Sequence, residues 1–298
     1  MFEATKEVDP MAQTIAFLGL GAMGSRMARR LHDAGYDVVV YNRDRTRAEP
    51  LREAGLAVAE TPRRAVQGRD VVIAMVRDDE ASRAVWLDPD AGAVAGLKDR
   101  AVAIESSTLT PGWIGELATR VQATGAAFLD APVVGSRPHA EAGKLVHLVG
   151  GADADLDRVR ELLLHLADQV QHVGPVGAGT ILKLAVNALF GIQVAALAEV
   201  LGVTRRAGID DGRTLALLSK MPITSPALAG VGGLMASRSF SPMFPIDLVD
   251  KDLGYVERAA AELGTTLPTA TAVRGVYQQA KARELGDDNI HGVMKLYD

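Results

Sequence analysis

At 298 residues, 48% hydrophobic and 23% charged, the chain has the length of about two domains and an ordinary globular composition, which argues against a disordered or collagenous protein. It has no cysteine, which excludes disulfides, cysteine nucleophiles, thiolate zinc sites and Cys-ligated iron–sulfur clusters. A net charge of −5 disfavours general nucleic-acid binding.

Residues 1–10 are polar and acidic, without the apolar stretch of a signal peptide. Residues 1–12 are therefore set apart as a flexible extension, and a cytoplasmic location is expected. Thr14–Leu18 reads as a strand, followed by a Gly-rich turn and a helix to about Ala34, with Gly35 as its stop. Asp37–Tyr41 is strand-like. Thr46 is expected to cap a second helix, and Thr61-Pro62 and Thr110-Pro111 to open further helices. Val71–Val76, Ala101–Ile104, Ala127–Leu129, Leu145–Val149 and Val170–Val173 are apolar strand candidates. Repeated strand–helix units predict an α/β domain, a parallel sheet covered by helices on both faces.

The pattern changes after Gly174. Ala178–Arg206 predicts one long helix without proline, roughly 45 Å at 1.5 Å per residue. Asp210–Lys220, Pro226–Ser237, Leu248–Leu263 and Pro268–Leu285 continue as helices. The expected organisation is a dinucleotide-binding domain over 13–176 and an all-helical domain over 177–298. Ile181–Val203 is long and apolar enough to span a membrane. It carries Lys183, Asn187, Gln193 and Glu199, which are costly there, so a buried helix is expected and no membrane partner.

Gly19-Leu20-Gly21-Ala22-Met23-Gly24 follows the first strand and opens a helix. The first glycine permits the tight turn, the second a close approach to a pyrophosphate, the third close helix–strand packing. The phosphates would meet free N–H groups at the helix N-terminus. NAD readers usually place an acid at the end of the second strand. Here stand Asn42-Arg43, with Arg45 and Arg47 beyond. A guanidinium suits a 2′-phosphate, so NADP(H) is preferred, with NAD(H) the alternative and Asp44 a mild counterweight.

Lys183 and Asn187 lie four apart on one face of the long helix, among apolar neighbours. A buried ammonium needs a partner or a lowered pKa, and the latter suits a general acid. The alternative is a Lys whose head reaches water from a core helix; spacing does not separate the two. The six histidines show no metal-binding spacing, and Gly143-Lys144-Leu145 lacks the pattern of a P-loop.

Four motifs occur in order: Gly19–Gly24 with Met27-Ala28; Asp130-Ala131-Pro132-Val133; Gly174 through Gly177-x-Gly179 to Lys183 and Asn187; and Lys251-Asp252. Over residues 13–290 the chain resembles the β-hydroxyacid dehydrogenase family, which includes 3-hydroxyisobutyrate dehydrogenase, tartronate semialdehyde reductase and the glyoxylate/succinic semialdehyde reductases. The resemblance implies a nicotinamide lying between a Rossmann-type domain and a helical domain like that of 6-phosphogluconate dehydrogenase. It also implies a long interdomain helix and a homodimer or homotetramer. It assigns catalysis to Lys183 with Asn187 as partner. Lys251 would lie near the cofactor, Asp252 at the active site and Phe244 over the substrate, and Met75, Val76 and Thr108 would line the cofactor. Without the resemblance, Lys251-Asp252 reads as a solvated ion pair.

The family's substrate segment commonly carries Ser where Val134 stands, before Gly135 and Ser136. That Ser helps hold a carboxylate. Its loss leaves the backbone at 134–136 and the Ser136 hydroxyl to bind an anion, and favours a less polar carbonyl. The reading is an NADPH-dependent reductase of a small aldehyde or keto acid. Its rivals are an NAD-linked 3-hydroxyisobutyrate-type dehydrogenase, an imine reductase (whose usual Asp or Tyr at the lysine position argues against it here) and a non-catalytic dinucleotide-fold module.

Overall fold

The computed structural model describes residues 13–298, so the extension expected over 1–12 lies outside the described residues. The chain divides into two compact units at Lys183/Leu184.

In the first unit, β1 (Thr14–Leu18), β2 (Asp37–Tyr41), β3 (Ala57–Val58), β4 (Val71–Ala74), β5 (Val102–Glu105), β6 (Ala127–Asp130), β7 (Val133–Val134), β8 (Leu145–Gly150) and β9 (Ala167–Gly174) form one sheet. Its order is β3-β2-β1-β4-β5-β6-β8-β7, with β9 on β8. Strands β1 to β6 pair in parallel, as expected. The end of the sheet departs from that expectation: β8 runs antiparallel to β6 and β7. The link between β7 and β8 holds one short helix, less than a parallel crossover needs.

The helices of this unit are α1 (Gly24–Asp33), α2 (Glu49–Glu53), α3 (Pro62–Val66), α4 (Asp79–Leu87), α5 (Pro111–Gln122), α6 (Arg137–Ala142), α7 (Asp153–Asp157) and α8 (Arg160–Leu164). Alternate strand residues enter different cores. Ile15, Phe17, Val38, Val40 and Ile73 pack with Met27 and Leu31 of α1. Ala16, Leu18, Val39, Val72 and Ala74 pack with Trp86 of α4 and Trp113 of α5. Both faces are covered, which is why the strands read as unbroken apolar runs. Thr61 and Thr110 cap α3 and α5 as expected. Thr46 does not cap a helix: the Asp44 carboxylate, two residues earlier, accepts from Thr46 N and starts a 3₁₀ turn, and α2 begins only at Glu49.

The second unit contains most of α9 (Ala178–Arg206), then α10 (Asp211–Leu218), α11 (Pro226–Ala236), α12 (Ile246–Glu262), α13 (Pro268–Ala282) and a 3₁₀ segment, Ile290–Tyr297. Leu184, Val194, Leu197 and Leu201 recur at helical spacing on α9 and pack with Val249 and Leu253 of α12 and Tyr277 of α13. The buried Tyr277 hydroxyl donates to Gly191 O at 3.0 Å. By length and composition α9 passes as a membrane span; this packing makes it a core helix. The division inside α9 has a local cause. Gly177 and Thr180 are hydrogen-bonded to Asp130 of β6, so the first turns of α9 belong with the sheet.

Candidate active site

The turn between β1 and α1 is built by sterics at two of its three glycines. Gly19 has φ +100°, and a Cβ there would stand 2.3 Å from Met75 O. A Cβ on Gly24 would stand 2.0 Å from Gly19 O. Gly21 differs: a Cβ would meet no atom of the described residues within 4 Å. Among the described residues no side chain caps α1, and no acid lies in its first turn. Ser25 N donates to Gly21 O at 3.1 Å and Arg26 N to Met23 O at 3.0 Å, so what the helix start offers an anion is chiefly its positive end. Leu20 is buried, Met23 packs on the core beneath and Ala22 is exposed. Asn42 anchors this turn, accepting from Leu20 N at 2.8 Å and donating to Asp44 O at 2.8 Å.

Arg43, Arg45 and Arg47 are exposed at the end of β2. The acid among them is turned inward to its own loop. Asp44 Oδ1 accepts from Thr46 N at 3.1 Å and Thr46 Oγ1 at 2.7 Å, and these bonds hold its carboxyl below the usual range. Its other oxygen pairs with Arg47 at 3.6 Å.

Met75, Val76 and Thr108 are half-buried beyond the ends of β4 and β5. Val76 N donates to Ser107 Oγ at 2.7 Å. Ser107 in turn donates through its N (3.0 Å) and Oγ (2.5 Å) to Oε1 of the fully buried Glu105. Glu105 Oε2 accepts from Ser82 Oγ at 2.7 Å and Trp86 Nε1 at 2.8 Å. Burial pushes the Glu105 carboxyl up, and the four uncharged donors pull the other way. The trace of this network in the sequence is an acid ending the apolar run Val102-Ala103-Ile104.

In the segment after β6, Val134 is half-buried and Gly135 exposed, with φ +133°. Ser136 N donates to His139 Nδ1 at 3.2 Å, and its hydroxyl lies 3.1 Å from the same nitrogen. The two Ser136 groups expected to serve an anion are thus engaged with α6. On β8, His147 is buried with Nδ1 3.1 Å from Ala131 O, and desolvation lowers its pKa to about 4.

Lys183 and Asn187 are each 8% exposed, one turn apart on α9. Asn187 Nδ2 donates to Asp252 Oδ2 at 2.6 Å. Asp252 Oδ1 pairs with Lys251 Nζ at 2.9 Å, and that ammonium lies 4.6 Å from the Tyr255 ring centroid. Asp252 is 3% exposed, so Lys251-Asp252 is not a solvated ion pair. Phe244 packs on the helical core, its N–H donating to Asn289 Oδ1 at 2.8 Å. The residues brought together are thus Asn187, Lys251 and Asp252, with Lys183 on the same helix face as Asn187.

Residues 14–174 match the family described as the NAD binding domain of 6-phosphogluconate dehydrogenase. Residues 177–297 match the NAD-binding domain of NADP-dependent 3-hydroxyisobutyrate dehydrogenase. Glyoxylate/succinic semialdehyde reductase 2 of Arabidopsis thaliana is 29% identical, over 95% of this chain and 78% of its own. The NAD-dependent L-serine dehydrogenase of Pseudomonas aeruginosa is 30% identical, over 95% of this chain and 97% of its own. The 3-hydroxyisobutyrate dehydrogenase of Mycobacterium tuberculosis, solved with L-serine, superposes with a TM-score of 0.88 at 29% identity, over 96% of this chain and 99% of that one.

Proposed function

The chain belongs to the β-hydroxyacid dehydrogenase family, and from that premise we propose that it reduces a small aldehyde or keto acid with NADPH, with Lys183 as general acid. When bound, the nicotinamide supplies the hydride. Lys183 gives a proton from Nζ to the carbonyl oxygen and takes it back in the oxidative direction. Asn187, its amide fixed by Asp252, orients the reacting oxygen. Lys251 holds the negative charge of Asp252 in place. The observation that carries the reading is Lys183, buried one turn from an Asn187 that is locked to a buried carboxylate.

The free space at Gly21 and the uncapped start of α1 fit a pyrophosphate. The exposed Arg43, beside an Asp44 already committed to Thr46, supports NADPH over NADH. The exposed apolar side chains Leu189, Val200 and Val203 on α9 support a homo-oligomer, which light scattering tests.

The test is nicotinamide oxidation with NADPH and NADH against semialdehydes, 2-keto acids, apolar aldehydes and cyclic imines. Carbonyl turnover led by NADPH supports the reading. Turnover of imines alone, or cofactor binding without turnover, overturns it. A second reading, an NAD-linked hydroxy acid dehydrogenase, is favoured by the NAD-dependent L-serine dehydrogenase relative. It predicts that NADH outperforms NADPH.

A further inference from the structure

Asp130 ends β6 and is fully buried. Its Oδ1 accepts from Gly177 N at 2.7 Å, and its Oδ2 from Thr180 N at 2.7 Å and Thr180 Oγ1 at 2.9 Å. An ordinary cap comes from the residue just before its helix. Here the cap comes from another element, 47 residues before Gly177. The packing around it is closed. A Cβ on Gly150 would stand 2.3 Å from Asp130 Oδ1, and one on Gly179 2.2 Å from Leu148 O and 3.0 Å from Asp130 O. Two glycines thus bring backbone against this carboxylate and against the strand beside it.

The same residue immediately precedes the segment 131–136, and Thr180 lies one turn before Lys183 on α9. We infer that Asp130 is a positioning residue, which by tying the first turn of α9 to the end of β6 sets where Lys183 stands against the segment 131–136. The inference rests on the reading of Lys183 given above. A shift of α9 on losing this cap moves the lysine, and a misplacement of ~1 Å costs on the order of a hundredfold in rate.

The experiment uses the full chain with NADPH and the best carbonyl of the panel. Thr180→Val and Asp130→Asn are made alone and in a Lys183→Met background. Turnover, KM for the carbonyl, NADPH affinity and melting temperature are measured. Thr180→Val is expected to lower kcat about tenfold and Asp130→Asn about a hundredfold, with NADPH affinity and carbonyl KM within about twofold. Thr180→Ser, which keeps the hydroxyl, restores most of kcat. In the Lys183→Met background neither change costs more, because the residue they act through is gone. If Asp130→Asn does not fold, Thr180→Val decides. An unchanged kcat in folded variants, or the same loss in both backgrounds, overturns the inference and leaves Asp130 a stabilising cap. Full turnover by Lys183→Met alone overturns instead the reading on which it rests.

Discussion

The side-chain amide of Asn187 donates to Asp252 across 2.6 Å, joining α9 to α12 through two buried groups. A hydrogen bond to a buried carboxylate contributes roughly 1.5–3 kcal/mol. Asn187→Ala and Asp252→Leu are each expected to lower kcat/KM about 10–150-fold. The double variant should lose little more than either, because the pair acts as one unit. Fully multiplying losses in a double-mutant cycle show that the two residues act separately.

Lys183→Met removes the charge and the proton while keeping chain length and helix propensity. The neighbouring Leu182, Leu184 and Val186 suit an apolar side chain. Turnover should fall by about two to four decades, with NADPH affinity and melting temperature little changed. Near-normal turnover leaves Lys183 without a part in the chemistry, and a large drop in melting temperature assigns it to folding.

Arg43→Asp places an anion beside the 2′-phosphate site. The ratio of kcat/KM for NADPH to that for NADH should fall about 10–150-fold. An unchanged ratio means that Arg43 does not read the cofactor.

Gly21 and Gly24 should respond differently to alanine. At Gly21 a Cβ meets open space, so Gly21→Ala should melt like the parent in the absence of cofactor but bind NADPH more weakly. At Gly24 a Cβ collides with Gly19 O, so Gly24→Ala should lower the melting temperature without any cofactor present. Equal melting temperatures for the two variants contradict the division of labour between these glycines.

His147 makes stability depend on pH. Its pKa is lowered to about 4 by burial, against 6.5 when unfolded. Between these values the unfolded chain binds a proton that the folded chain refuses. Stability is therefore lost as pH falls from about 6.5 towards 4, by up to about 3 kcal/mol. The raised carboxyls of Glu105 and Asp130 act in the opposite direction, so the informative quantity is the difference between the parent and His147→Asn. Urea unfolding at pH 7 and pH 4.5 should show a smaller acid loss in His147→Asn. Equal losses exclude His147 as the source.

Chain-local physics made much of this protein legible. The unbroken apolar runs at 14–18, 37–41 and 71–76, with Gly19–Gly24 between the first two, require a strand–turn–helix–strand unit with both faces buried. The reason is that alternation, turn sterics and helix capping act within a few residues. The Lys183–Asn187 spacing placed both side chains on one face, because helix geometry is fixed.

Partners distant in the chain escaped that reading. Taken alone, Lys251-Asp252 reads as a solvated pair, and only the family resemblance places it at the site; in the structure α9 brings Asn187 to Asp252, which is buried. Ser136 read as free to bind an anion, but its groups are engaged with His139 in the helix it starts. Glu105 and Asp130 each end an apolar run, which marks them for burial, but nothing local names Ser82, Trp86, Gly177 and Thr180 as their partners. A sequence determines which backbone conformations each stretch prefers. Which polar groups lose water, and what replaces it, is decided only when strands and helices far apart in the chain close over them, because desolvation depends on the whole surrounding shell.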